Sequence, residues 1–187
     1  MPAAEPDTVA RIVLAVFPPR EGGRGLPAPC PSSALAASGF LYPTGDGLTE
    51  TQFESLSRAA SLAGEDSFYL SYAERIVDPD RTQDFKIPVF DLDAYLTLLP
   101  STLDHVLVSA SGSWGVYVLH SGVAVVAGDG DFVARLYADL PPPVEQAVGF
   151  VREIRSMRSE HAASWARNLL AEVLGAAVAS EIWETAT

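Results

Sequence analysis

Residues 106–127 constrain the fold more than any other part of the chain. Val106-Leu107-Val108 leads to Ser111-Gly112-Ser113, residues 114–119 lead to His120-Ser121-Gly122, and residues 123–127 lead to Gly128-Asp129-Gly130-Asp131. Short β-branched and aromatic stretches joined by tight glycine turns leave no length for a helical crossover, so the three must pair as an antiparallel meander. Alternation along the middle strand puts Trp114, Val116 and Val118 on one face and Tyr117 and Leu119 on the other. Helices over a face would bury these side chains. An open face would present them beside carboxylates as rigid anchors for a partner, the role assigned to Trp114.

The flanking elements follow from caps and breakers. Thr49-Glu50-Thr51-Gln52 is a capping box, and Phe53, Leu56, Ala60 and Ala63 follow at helical spacing, so a helix is expected over 50–63 with Gly64 as its stop. The aromatic alternation at Phe68, Leu70 and Tyr72 predicts a strand over 67–77, ended by Asp78-Pro79-Asp80. Residues 86–90 predict a short strand, after which Asp91 caps a helix with Leu92, Tyr95, Leu96 and Leu99 inward and Pro100 closing it. Asp129 and Asp131 open a helix that buries Phe132, Val133, Leu136 and Tyr137 and ends at Pro141-Pro142-Pro143. The apolar run 9–17 is expected to be a buried strand, and the proline- and glycine-rich residues 18–31 an exposed loop. The fold class is α+β: a mostly antiparallel sheet containing the meander, packed on helices, with residues 1–143 forming the main domain.

From residue 144 the period lengthens. Val148, Val151, Ile154, Met157, His161, Trp165, Leu169 and Val173 recur every three or four residues. Unbroken to Glu184, this helix would be ~60 Å long at 1.5 Å per residue, against a body ~40 Å across. Gly149 and Gly175 are the expected interruptions. Two outcomes are open for segment 144–187. It folds back as a cover for the sheet, or it overhangs and mediates homodimerisation through Trp165, Leu169, Val173 and Trp183.

The chain has 187 residues, 48% of them apolar and 19% charged, which excludes a disordered acidic tail or a charged coiled coil. Its 24 acidic and 12 basic side chains give a net charge of −12. That balance opposes a nucleic-acid backbone or an anionic membrane surface as partner and favours a basic protein. The acidity is regional: residues 41–140 hold fifteen acidic and five basic side chains. Asp78, Asp80, Asp84, Asp91 and Asp93 fall close together in sequence and are expected to form a partner-binding negative face that steers a cationic protein. Cys30 is the single cysteine, so neither an intramolecular disulfide nor a four-thiolate zinc site is available, and a reducing, cytoplasmic location is expected. The run 9–17 is far too short to span a bilayer.

Signatures of chemistry are sparse. Ser113 has serine, not glycine, two places before it and joins two strands, so it is no nucleophile elbow. Asp78-Pro79-Asp80-Arg81 lacks the glycine and distal glutamate of a calcium loop. Two aspartates around Gly130 would repel a phosphate from the helix start they cap. His105 and His120, with Asp104 or one of the Asp78–Asp93 group, are the one arrangement that a small enzyme or ligand-binding domain could use. Arg152, Arg155 and Arg158 form the one basic stripe, either a solvated face or a dock for an anion. No catalytic residue, metal ligand or cofactor is assigned.

The stretch 104–140, with Gly112-Ser113-Trp114-Gly115 in the first turn of the meander and Gly128-Asp129-Gly130-Asp131-Phe132 opening a helix, resembles small acidic bacterial immunity proteins of polymorphic toxin systems. The resemblance covers a fifth of the chain and leaves residues 18–31 unaccounted for. It implies a cytoplasmic, non-enzymatic protein that occludes the active site of a toxin domain. The leading expectation is therefore a protein-binding module whose acidic surface caps a basic partner. The alternatives are the His105/His120 site and the helix-mediated homodimer.

Overall fold

The computed structural model describes residues 6–19, 31–73, 84–99 and 103–186. The described elements run in the order α1 (Pro6–Val16), β1 (Ala37–Leu41), α2 (Glu50–Leu62), β2 (Ser67–Tyr72), β3 (Phe85–Pro88), α3 (Leu92–Thr97), β4 (His105–Val108), β5 (Gly115–Leu119), β6 (Val123–Gly128), α4 (Gly130–Leu136), α5 (Pro143–Ser156), α6 (Glu160–Leu174) and α7 (Ala176–Thr185). The strands form one six-stranded sheet in the order β1-β6-β5-β4-β2-β3, and every pair is antiparallel. The fold is α+β, as the sequence implies. Strands β4, β5 and β6 are the expected meander, with Val106 opposite Tyr117 and Tyr117 opposite Val125. Its turns use Gly112 (φ 73°) and Gly122 (φ 82°), a conformation that costs glycine nothing.

Helices cover both faces. Trp114, Val116 and Val118 pack with Phe53, Leu56, Phe68, Tyr95, Phe132 and Leu136 beneath α2, α3 and α4. Tyr117, Val106 and Val125 pack with Val13, Phe17, Phe150, Leu170 and Ile182 beneath α1, α5, α6 and α7. Double coverage explains why the meander is buried along its whole length.

The N-terminal apolar run is a helix, not the strand its composition suggested. Val9, Val13, Val16 and Phe17 are fully buried at helical spacing while Arg11 is exposed, and the helix lies against β2 and β4. Gly115 makes this approach possible, since a Cβ there would sit 2.8 Å from both Phe17 and Val16. Residues 20–30 of the expected loop and the Asp78-Pro79-Asp80 turn lie outside the described residues.

The C-terminal segment is three helices rather than one. Gly149 does not interrupt α5; it admits the Tyr42 ring, whose nearest atom would lie 3.3 Å from an added Cβ. The first break falls at Arg158, which adopts φ 50°, and Ser159 then caps α6 by accepting from Ala162 N–H at 3.3 Å. The second falls at Gly175 (φ 89°), as anticipated. These turns fold α6 and α7 back over the sheet, so the segment covers rather than overhangs. Leu169, Val173 and Trp183 are consequently buried within the chain, and Trp165 is half-buried edge-on to Phe150. The four residues expected to form an exposed association stripe serve instead as packing.

Candidate functional site

The residues proposed to bind a partner divide on inspection. Asp78 and Asp80 lie outside the described residues. Asp84, only 4% exposed, is interior, and Asp91 is half-buried with its carboxylate accepting from Ala94 N–H at 2.9 Å to cap α3. Among the three described members, Asp93 alone is exposed. Trp114 is 1% exposed and stacks on Phe132 with centroids 4.8 Å apart, so it is core and not an anchor. Alternation assigned its face correctly; the helical cover over that face removes it from solvent.

A different surface gathers the acidity. On α2, α3, α4 and the turn before α2, Asp46, Glu50, Glu54, Asp93 and Asp131 are exposed, and none takes part in an ion pair among the described residues. The two described arginines of this layer are committed elsewhere. Arg58 pairs with Asp139, and Arg135 donates to the Leu62 carbonyl at 2.9 Å. Apolar groups stand among these charges: of the five large hydrophobic side chains exposed in the described residues, Leu62, Phe90 and Leu96 belong to this layer.

Phe90 is the most informative of the three. Strand β3 ends at Pro88, two residues earlier than expected, and Phe90 turns into the left-handed region at φ 64°. A phenylalanine there costs about 1 kcal/mol relative to glycine. Its backbone N–H donates to Ser57 Oγ of α2 at 3.1 Å, which fixes the turn, and its ring is 57% exposed. Leu96, expected on the buried side of its helix, is 50% exposed because the short α3 directs Tyr95 inward instead.

The histidines do not form a joint site. His105 is buried on β4, where the Tyr95 hydroxyl lies 3.1 Å from Nε2 and itself accepts from Leu48 N–H at 2.8 Å. Burial pushes its pKa down to about 4, so it is neutral at ordinary pH. His120 is exposed, with both its ring Nδ1 (2.7 Å) and its backbone N–H (2.9 Å) on Asp104 Oδ1. One imidazole is sealed in the core and the other closes a surface turn. Among the described residues no group of three or more His, Cys, Asp or Glu side chains is placed to hold a metal ion.

A polar knot that sequence reading missed sits in the β4–β5 turn. Ser113 N–H donates to Ser109 Oγ at 2.9 Å, Ser111 Oγ lies 2.9 Å from Ser113 Oγ, and Ser111 reaches Glu65 at 3.5 Å. Burial raises the Glu65 pKa, opposed by the Ser109 and Ser111 hydroxyls. The turn uses these hydroxyls to satisfy its own backbone, which accounts for the three serines. No helix among the described residues is long and apolar enough to cross a membrane. No family model, no curated protein and no solved structure matches the chain.

Proposed function

We propose that the α2–α3 surface is the docking face of a non-enzymatic binding protein, and that its partner is a basic protein. The observation that carries this reading is the placement of Phe90. An aromatic ring is held outward by a left-handed backbone and by Ser57, with Asp91 beside it in sequence, Asp93 in the first turn of α3 and Glu54 one turn before Ser57 on α2. Exposed aromatic anchors account for much of the binding energy at interfaces, about 2 kcal/mol or more each where the partner offers a pocket. Surrounding carboxylates add orientation and on-rate: they attract a cationic surface over roughly 8 Å at physiological salt and repel an anionic one. A toxin domain that handles nucleic acid is such a cationic surface, and a cytoplasmic immunity protein is the corresponding role for this chain. The charge asymmetry and the outward apolar residues both support that role.

The test is a photo-reactive residue at Leu96 in cells that naturally make the protein, with the same residue at Val144 on α5 as the control on the opposite layer. Capture of a basic protein from Leu96 and not from Val144 is expected. The same set of captured proteins from both positions, or capture of acidic proteins only, would remove the proposal.

A further inference from the structure

The C-terminal helices carry four arginines, and three of them converge. Arg155, in the last turn of α5, donates to the Trp183 and Ala186 carbonyls and so ties α7 to α5. Its Cζ lies 5.5 Å from the centroid of the Trp183 ring, and Arg167 of α6 places its Cζ 4.4 Å from the same centroid. With Arg158 from the α5–α6 bend they line a recess of about 400 Å³. A second recess of about 480 Å³ shares Arg167 and Trp183 with the first and is lined by Ala171, Ala176 and Ala179, with Asn168, Ser180 and the Glu184 carboxylate, which accepts from Ser180, as its polar groups. Both are open depressions rather than enclosed cavities, and they adjoin at Arg167 and Trp183.

The charge in the first recess is not balanced from within. Glu160 also lines it but makes no ion pair with Arg155, Arg158 or Arg167, and neither Arg158 nor Arg167 donates a side-chain hydrogen bond among the described residues. The indole face compensates two of the cations only in part, by about 1 kcal/mol each at an exposed site. Arg158 also occupies a left-handed conformation that glycine would adopt without strain. Bringing like charges together at such a position is unfavourable unless a third party relieves it. Guanidinium groups match phosphate and carboxylate oxygens alike. Two guanidinium groups with free donors, beside a third that adds only its charge, suit the doubly charged end of a phosphate monoester better than a singly charged carboxylate.

We propose that this recess binds the phosphate group of a small organic phosphate, with the organic portion lying along the alanine-lined half. The site lies on the opposite face of the sheet from the acidic surface and does not depend on it. Arg158 and Arg167 supply the free donors. Arg155 holds Trp183 in place and contributes charge.

The test is a titration of the ¹⁵N-labelled full chain with inorganic phosphate and with a nucleoside monophosphate at low salt, reading the Trp183 indole and arginine Nε resonances. Saturable shifts confined to Trp183, Arg155, Arg158 and Arg167 are expected, with the ester binding more tightly than the inorganic ion. Arg167→Gln should weaken binding about tenfold or more. Arg158→Gly should do the same while leaving the thermal midpoint unchanged or higher, which separates loss of the guanidinium from loss of the fold. Arg152→Gln should stay within about twofold. Absence of saturation at ~10 mM of either probe, an equal loss in Arg152→Gln, or full affinity in an Arg158→Gly/Arg167→Gln double variant would overturn the assignment. An ester that binds no better than inorganic phosphate would overturn the part given to the alanine-lined half.

Discussion

The backbone N–H of Phe90 is bonded to Ser57 Oγ at 3.1 Å, and this contact, with the flanking bonds from Val89 N–H to Asp66 and from Asp91 N–H to Pro88, fixes the left-handed turn between β3 and α3 that leaves an aromatic side chain exposed. Burial does not explain it, because the ring remains 57% exposed. Glycine would relieve the backbone and lose little packing. Phe90→Gly should therefore keep the unfolding free energy within about 1 kcal/mol of wild type, by chemical denaturation, while partner affinity falls at least about tenfold. A variant that is substantially destabilised would show the ring to be structural instead.

His105 makes stability depend on pH in a defined direction. Its folded-state pKa of about 4 lies below the ordinary 6.5, so folding favours the neutral imidazole. The stabilisation is complete above pH 6.5 and is lost as pH falls from there toward 4, amounting to roughly 3 kcal/mol over the whole window. Urea unfolding at pH 7 and at pH 4.5 should show a larger loss for wild type than for His105→Gln, which carries no titrating group at that position. Equal losses would place the acid sensitivity elsewhere.

Gly115 controls how closely α1 docks. A methyl group there would meet Phe17 and Val16 at 2.8 Å and Val108 at 3.1 Å. Gly115→Ala should destabilise by about 1–3 kcal/mol through overpacking, and amide exchange should rise first in residues 8–17. Wild-type stability would mean that α1 sits further from β5.

The capping box on α2 has a graded prediction. Thr49 Oγ1 accepts from Gln52 N–H at 3.3 Å, and Gln52 returns a bond to Thr49 N–H at 3.0 Å and adds one to the Pro43 carbonyl at 3.1 Å. Thr49→Ala should cost about 1 kcal/mol. Gln52→Ala should cost more, because it also leaves the Pro43 carbonyl without its donor. Thermal melts of the two variants give the order directly.

What the sequence disclosed was local. The Thr49 box and the Asp91 and Asp129 caps are each written within four or five residues and the meander within residues 106–127, and each stands where it was expected. Residues 9–17 misled because a short, continuous apolar run fits a strand and a buried helix equally, and only packing against β2 and β4 decides. The bend at Arg158 was hidden because an arginine occupies a left-handed position where glycine would have announced a stop, although Ser159 offered a readable cap. The candidate sites were the least legible. Alternation gave the face of Trp114 but not its helical cover, Asp84 is buried, and Asp91 is occupied as the cap of α3. Phe90 read as the end of a strand. The three convergent arginines meet only because two turns fold α6 and α7 back on α5, which no spacing along the chain records.

The most direct measurement of the central claim is the association rate of the partner captured through Leu96, followed by stopped flow across a range of ionic strength. Wild-type protein should associate rapidly and slow steeply with salt, a Glu54→Lys/Asp93→Lys variant should associate about tenfold more slowly with a flattened salt dependence, and Phe90→Gly should mainly hasten dissociation. Association indifferent to salt and to both variants would contradict the assignment of the α2–α3 surface as the docking face.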